Sequence, residues 1–310
     1  MKAVYFDGTK AAFRDDLDKP VPEAGESLVR ILMSAVCSTD KEILRGYKSG
    51  FTGVMGHEFV GIVEESDQEQ LIGKRVVGEI NAGCGHCVYC RSGREKHCEE
   101  RKVLGLEQKD GCFAEYMTIA THLLHIVPWD LPTERAIFTE PLAAALEVLS
   151  QVHIRPEEHC AIIGDGRLAF LIAQVVAMTG ARVTVIGRHE EKLEKFRPYA
   201  ETTMEPEDTY EIVIEASGKK EGILLAKEIV RHQGTIVLKS TYAGEVSINL
   251  SDLTVHEITI KGSRCGPFEP ALHLLRKRKI ELPEIELHRL EDFEKAFSSN
   301  AFKAGFSISE

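Results

Sequence analysis

The chain lacks a surplus of basic charge. Of its 310 residues, 38 are Lys or Arg and 49 are Asp or Glu, for a net charge of -11. Phosphate contacts need a basic face, so nucleic acid is not expected as the main partner. Long apolar runs are missing too. The longest, Leu168 to Met178, is interrupted by Gln174 and is too short to span a bilayer, so no membrane partner is expected. The start, MKAVYFDG, has no apolar stretch after its basic residue. It reads as a first strand and not as a secretory signal, and a cytoplasmic protein is the expectation. No repeats or low-complexity segments stand out. What remains is an ordinary balance, 43% hydrophobic and 28% charged, over a length that suits two domains.

The eight cysteines are unevenly placed. Cys84-Gly-His-Cys87-Val-Tyr-Cys90 continues through a polar loop to Cys98. Without a secretory signal, clustered cysteines point to metal or reduced thiols before disulfides. Four thiolates close a tetrahedron around one Zn²⁺ and leave no position open, which makes this a structural zinc site. Gly83, Gly85 and Gly93 let the backbone fold around the ion. The competing reading is a pair of disulfides, or free thiols with His86 or His97 as substitute ligands. Cys112 and Cys160 read as small core residues, and Trp129 as packing at the domain boundary.

The rhythm of the chain changes near residue 140. Before it, strand-like runs appear at 2–6, 28–33, 60–64 and 75–77. After it, strands at 160–163, 182–186, 211–215, 235–238 and 258–261 alternate with helices at 140–151, 168–178, 190–197 and 221–231. Strands alternating with helices imply a parallel sheet covered on both faces. The tail, with helices at 269–278 and 290–298 and a strand at 305–309, is short for a domain and is expected to return to the first one.

The strand at 160–163 runs into Gly164-Asp-Gly166-Arg167-Leu-Ala169 and then an apolar helix. This is G-x-G-x-x-A in the strand–turn–helix context that dinucleotide binding requires. Gly164 permits the turn, Gly166 lets a pyrophosphate approach, and Ala169 keeps helix and strand close. The helix start at Arg167 offers free N–H groups to phosphate. The next strand ends at Gly187-Arg188-His189, with Lys192 one turn further on. An NAD site usually has Asp or Glu where Gly187 stands, and that carboxylate would repel a 2′-phosphate. Its absence, with Arg188 and Lys192 beside it, favours NADP over NAD. The bland reading is a basic helix start on the surface.

Three further elements precede the sheet: Cys37-Ser-Thr39-Asp40, Gly56-His57-Glu58 and Glu140-Pro-Leu. In this order, with the cysteine lobe and the glycine motif, they resemble the zinc-dependent alcohol dehydrogenases of the medium-chain dehydrogenase/reductase family. The resemblance covers almost the whole chain. It implies an α/β protein in two parts: a GroES-like β-rich catalytic domain over 1–141, to which 266–310 returns, and a Rossmann coenzyme domain over 142–265. The active site is expected in the cleft between them.

The same resemblance implies two zinc ions per chain, one structural and one catalytic. Cys37, His57 and Glu140 match the catalytic ligands, and Glu58 matches a carboxylate that binds the ion when water leaves. Asp40 matches the group that orients the histidine, and Thr39 the hydroxyl that relays the substrate proton. A carboxylate as third ligand points to the polyol, glucose and threonine dehydrogenase branches. In Lys261-Gly-Ser263-Arg264-Cys265-Gly, Ser263 and Cys265 match positions near the nicotinamide, and Arg264 one that reaches phosphate. The implied reaction moves hydride between an alcohol, polyol or sugar hydroxyl and NADP. A homodimer or homotetramer is implied, paired through the sheet edge at 257–262. Where relatives often place a relay histidine this chain has Glu42, and Glu147 replaces another; the chain is also shorter than most members. The rival function is a catalytically silent NADPH- or zinc-binding module on the same fold. A zinc-free quinone or enoyl reductase fits less well, because those relatives lack the four-cysteine lobe.

Overall fold

A computed structural model describes residues 1–46, 50–241 and 245–308. The chain divides into one unit of Met1–Glu140 with Phe268–Glu310, and a second of Pro141–Pro267. Among the described residues, no helix is long and apolar enough to cross a membrane.

The first unit is built on the strand Glu26–Ala35. It pairs antiparallel with Glu58–Glu65, Tyr116–Ala120 and Lys303–Ser307. A strand with neighbours on both sides is covered, and Leu28, Val29, Ile31, Ala35 and Val36 are at most 1% exposed. Antiparallel pairing places Lys303–Ser307 beside residues 33–35, so the last described strand completes the first sheet. This strand was expected at 305–309. It starts two residues earlier, and residue 309 lies outside the described residues. The lobe at 84–98 leaves a small sheet of Asn81–Ala82, Lys102–Leu104 and Gln108–Lys109.

The second unit is a six-stranded parallel sheet. In space the strands run Glu201–Thr203, Arg182–Ile186, His159–Ile163, Tyr210–Glu215, Val230–Leu238, Thr259–Gly262. Numbered along the chain this is 3-2-1-4-5-6, the doubly wound order whose switch point lies beside the first strand. The central strands are apolar without alternation, as expected where both faces are covered: Ala161, Ile162, Val185, Val213 and Ile214 are fully buried.

Details differ from the sequence reading. The helix expected over 190–197 is a short turn of helix, Glu190–Leu193, followed by a 3₁₀ turn, Glu194–Phe196. Leu193 and Phe196 anchor it in the core. The three-residue strand Glu201–Thr203 was not foreseen. Trp129 is 90% exposed and makes no buried packing.

Candidate active site

Cys37 is the N-cap of the helix Ser38–Ile43. Its backbone N–H donates to Asp40 Oδ2 at 2.7 Å, so one carboxylate fixes the turn that presents the thiol. Thr39 Oγ1 lies 3.7 Å from Cys37 Sγ. His57 and Glu58 enter from a second direction, at the start of Glu58–Glu65. Gly56 makes this possible: its φ is +93°, and a Cβ there would run into the Phe113 ring.

Ligand atoms of Cys37, His57 and Glu58 gather within 4.8 Å of one another. Asp40 Oδ1 stands 3.2 Å from His57 Nδ1, close enough for an ion pair yet outside hydrogen-bond geometry. Both atoms are buried without a hydrogen-bond partner. Complete burial works to lower the His57 pKa, but Asp40 and Cys37 outweigh it and hold the ring well above its usual 6.5. The surroundings therefore favour positive charge at this point. A divalent zinc fits that demand and the sulfur–nitrogen–carboxylate donor set.

Two expected residues are placed differently from this group. Glu140 stands in the first turn of the helix Thr139–Gln151 and does not join the gathered set; Glu58 is the carboxylate that does. Glu42 is paired with Arg45 at 2.6 Å.

One residue escaped the sequence reading. Lys303 Nζ contacts the Glu58 carboxylate and approaches Val36 O at 3.5 Å. Lys303 is 2% exposed and Glu58 1%. A lysine opening a strand looks like a surface residue in sequence; only the pairing of the C-terminal strand with Glu26–Ala35 buries it.

Asp40 makes a direct test. Outer-shell partners of metal ligands are typically worth 10–100-fold in affinity or activity. Asp40→Asn is expected to weaken zinc retention by about that factor. The measurement is metal content after graded chelator treatment; equal retention in variant and wild type would contradict the assignment.

The four-cysteine lobe is gathered as the spacing implied. Sulfurs of Cys84, Cys87, Cys90 and Cys98 lie within 4.8 Å of one another. All are free, and Cys87 Sγ and Cys90 Sγ, 3.5 Å apart, are well beyond a disulfide bond. Backbone N–H groups point at sulfur: Cys84 N donates to Cys98 Sγ and Cys90 N to Cys87 Sγ, each at 3.4 Å. The bond from Cys90 leads in lowering Cys87 to about 7, while desolvation leads in pushing Cys90 up to about 12. Four thiolates this close need a cation to share, and Zn²⁺ fits the set. Glu95 braces the lobe by accepting from Gly83 N at 2.6 Å and meeting His122 Nε2 at 3.0 Å.

In the second unit, Gly164 has φ +127°, and a Cβ there would lie 2.8 Å from Ala216 O. A Cβ on Gly166 would meet nothing within 4 Å, so the space over the loop is open. Gly166 is the N-cap of the helix Arg167–Ala177 and makes no side-chain cap hydrogen bond, and a helix N-terminus favours an anion. Ala169 is fully buried under the sheet. This cradle fits a dinucleotide pyrophosphate. Arg188 and His189 are exposed at the corner after Arg182–Ile186, with Lys192 half-buried. Ser263 is 7% exposed, and its Oγ accepts from Lys239 Nζ at 3.1 Å. Lys239 also donates to Ala144 O at 2.7 Å and Arg264 O at 3.0 Å, pinning the loop that carries Cys265.

The chain is similar to known proteins. Residues 23–129 match the alcohol dehydrogenase GroES-like domain. An uncharacterized zinc-type alcohol dehydrogenase-like protein of Haemophilus influenzae is 31% identical, covering 86% of this chain and 85% of its own. Sorbitol dehydrogenase of Halalkalibacterium halodurans is 29% identical, covering 94% and 93%. Among solved structures, alcohol dehydrogenase TADH from Thermus sp. ATN1 superposes with a TM-score of 0.89 at 26% identity over 100% of both chains. A zinc-binding dehydrogenase from Sinorhizobium meliloti 1021, solved bound to NADP, gives 0.88 at 25% over 99% and 98%. The chain belongs to the zinc-dependent alcohol dehydrogenases of the medium-chain dehydrogenase/reductase family, and is a zinc-type alcohol dehydrogenase-like oxidoreductase with a GroES-like domain and a Rossmann domain.

Proposed function

We propose that the protein interconverts a secondary alcohol, polyol or sugar hydroxyl and its carbonyl, using NADP, with one catalytic and one structural zinc per chain. The observation that carries the reading is the convergence of Cys37, His57 and Glu58 around one point backed by Asp40. Cys37 and His57 hold the catalytic zinc, with Glu140 as third ligand on the family pattern and Glu58 as the carboxylate that binds the ion when water leaves. When bound, zinc supplies Lewis acidity toward a substrate oxygen. Asp40 keeps the His57 ring oriented. Thr39 passes the substrate proton outward from beside Cys37. Lys303 offsets the Glu58 charge, so a second carboxylate can stand near the site without making it anionic. The glycine loop and the Arg167–Ala177 helix hold the pyrophosphate, and Arg188 with Lys192 favours the 2′-phosphate. Polyol and sugar substrates are favoured by similarity to sorbitol dehydrogenase. We also propose a cytoplasmic homodimer or homotetramer, its contact the exposed edge strand Thr259–Gly262.

The test is a panel of secondary alcohols, polyols and sugars, each with NAD and NADP. A charged hydrogen bond to the 2′-phosphate is worth about 1.5–3 kcal/mol, so kcat/KM is expected to favour NADP about tenfold or more. Arg188→Ala is expected to remove most of that preference. A wild-type preference for NAD would refute the coenzyme assignment. Tight zinc and NADPH binding with no turnover on any substrate would favour a silent binding module.

A further inference from the structure

Gly187 leaves the usual acidic position of the coenzyme corner without a side chain, yet an acid occupies the space. A Cβ on Gly187 would lie 2.8 Å from Asp165 Cβ, 3.0 Å from Asp165 Oδ2 and 2.7 Å from Leu193 Cδ2. Asp165 is the residue between the two loop glycines, so this carboxylate comes from the first strand's loop and not from the end of the second strand.

Its oxygens are unequally used. Oδ2 accepts from Arg188 N at 2.8 Å, from His189 N at 3.0 Å and from His189 Nδ1 at 2.8 Å. The Asp165 side chain is 14% exposed and that of His189 50%. Burial works to raise the Asp165 pKa, and the donors of Arg188 and His189 outweigh it, leaving the carboxyl below its usual range.

We infer that Asp165 is a positioning residue for coenzyme selection: it clamps residues 187–189 so that Arg188 and His189 face the 2′-phosphate of NADP. The inference rests on the NADP reading above. The rival role is a transposed ribose acceptor, with Asp165 itself taking the 2′-hydroxyl of NAD. Two observations favour the clamp. Oδ2 already carries three donors, two of them from the backbone of the corner it would organise. The His189 ring also faces the carboxylate and reduces its repulsion of a phosphate. Gly187 and Asp165 thus form one unit, since no side chain fits at 187 while Asp165 stands there. Installing an acid at 187 alone should therefore fail to create an NAD site, whereas Asp165→Gly combined with Gly187→Asp should favour NAD.

The experiment measures binding of 2′,5′-ADP and of ADP by calorimetry, in full-length wild type, Asp165→Asn, Asp165→Ala and the Asp165→Gly/Gly187→Asp pair. Wild type is expected to bind 2′,5′-ADP about tenfold more tightly than ADP. Asp165→Asn and Asp165→Ala should lower that ratio about three- to tenfold by weakening 2′,5′-ADP, with ADP little changed. A general loss of structure would weaken both ligands together and overturn the clamp as a selectivity device. So would an unchanged ratio, or a ratio that rises on removing the carboxylate. A wild type that prefers ADP refutes the NADP reading by itself, before any variant is measured.

Discussion

Replacing Lys303 with methionine is expected to destabilise the first unit by about 3–5 kcal/mol, the cost of breaking a buried ion pair on one side. Methionine keeps most of the length and apolar volume of lysine, so the loss is one of charge. Glu58 would remain 1% exposed with its cation gone. It cannot reach water without disturbing the strand Glu58–Glu65, which pairs along Glu26–Ala35. The second consequence is functional. A Glu58 released from Lys303 is drawn toward the positive charge that Cys37 and His57 are arranged to hold, and turnover should fall along with stability. Denaturant titration of the zinc-loaded protein measures the first effect. Glu58→Gln combined with Lys303→Met should recover most of the stability, because neither charge is then left alone. A single variant within about 0.5 kcal/mol of wild type, the range of ordinary surface changes, would show that the pair is not desolvated as its burial implies.

Cys98→Ser is expected to weaken the structural zinc site and loosen the lobe while leaving the catalytic ligands in place. Cys98 is the fully buried member of the four, and its sulfur accepts the Cys84 N–H. A four-ligand site contributes roughly 10–16 kcal/mol in small zinc domains. Losing one thiolate in four therefore costs about 3 kcal/mol of zinc affinity, on the order of a hundredfold. The lobe has little else to hold it: Val88 is 68% exposed, and the helix Val88–Arg91 has no buried residue. Limited proteolysis should cut between residues 84 and 98 in the variant and spare the same bonds in wild type. A variant that keeps its zinc and resists cleavage would mean that Glu95, bonded to Gly83 and His122, holds the lobe without the fourth sulfur.

Much of this architecture was legible in sequence because it is local. A strand, a glycine turn and an apolar helix are contiguous at 159–177, and the four cysteines lie within one short loop. Alternating strands and helices announce a covered parallel sheet but not its 3-2-1-4-5-6 order, and the strand Glu201–Thr203 is too short and polar to announce itself. The strand Val230–Leu238 was recognised only from 235, since its first half carries Arg231, His232 and Gln233, with Gln233 at φ +60°. Non-local contacts were illegible. Lys303 and Glu58 are 245 residues apart, and only sheet pairing brings them together. Asp165 fills a variable position of the glycine motif, where the pattern asks nothing of the side chain; its meaning appears only when Gly187 is seen beneath it. Glu140 shows the converse. Family likeness marks it as a ligand, and nothing in its local sequence shows that it stands outside the gathered Cys37, His57 and Glu58.

On the proposed reading this chain holds two zinc ions, and the one at Cys37 and His57 performs the chemistry. Zinc content per chain, measured on wild type and on His57→Ala with turnover assayed on the same samples, tests it most directly. Two zinc ions are expected in wild type, and one in the variant, with turnover abolished and the four-cysteine lobe still loaded. One zinc in wild type, or an active His57→Ala enzyme with an unchanged zinc count, would contradict it.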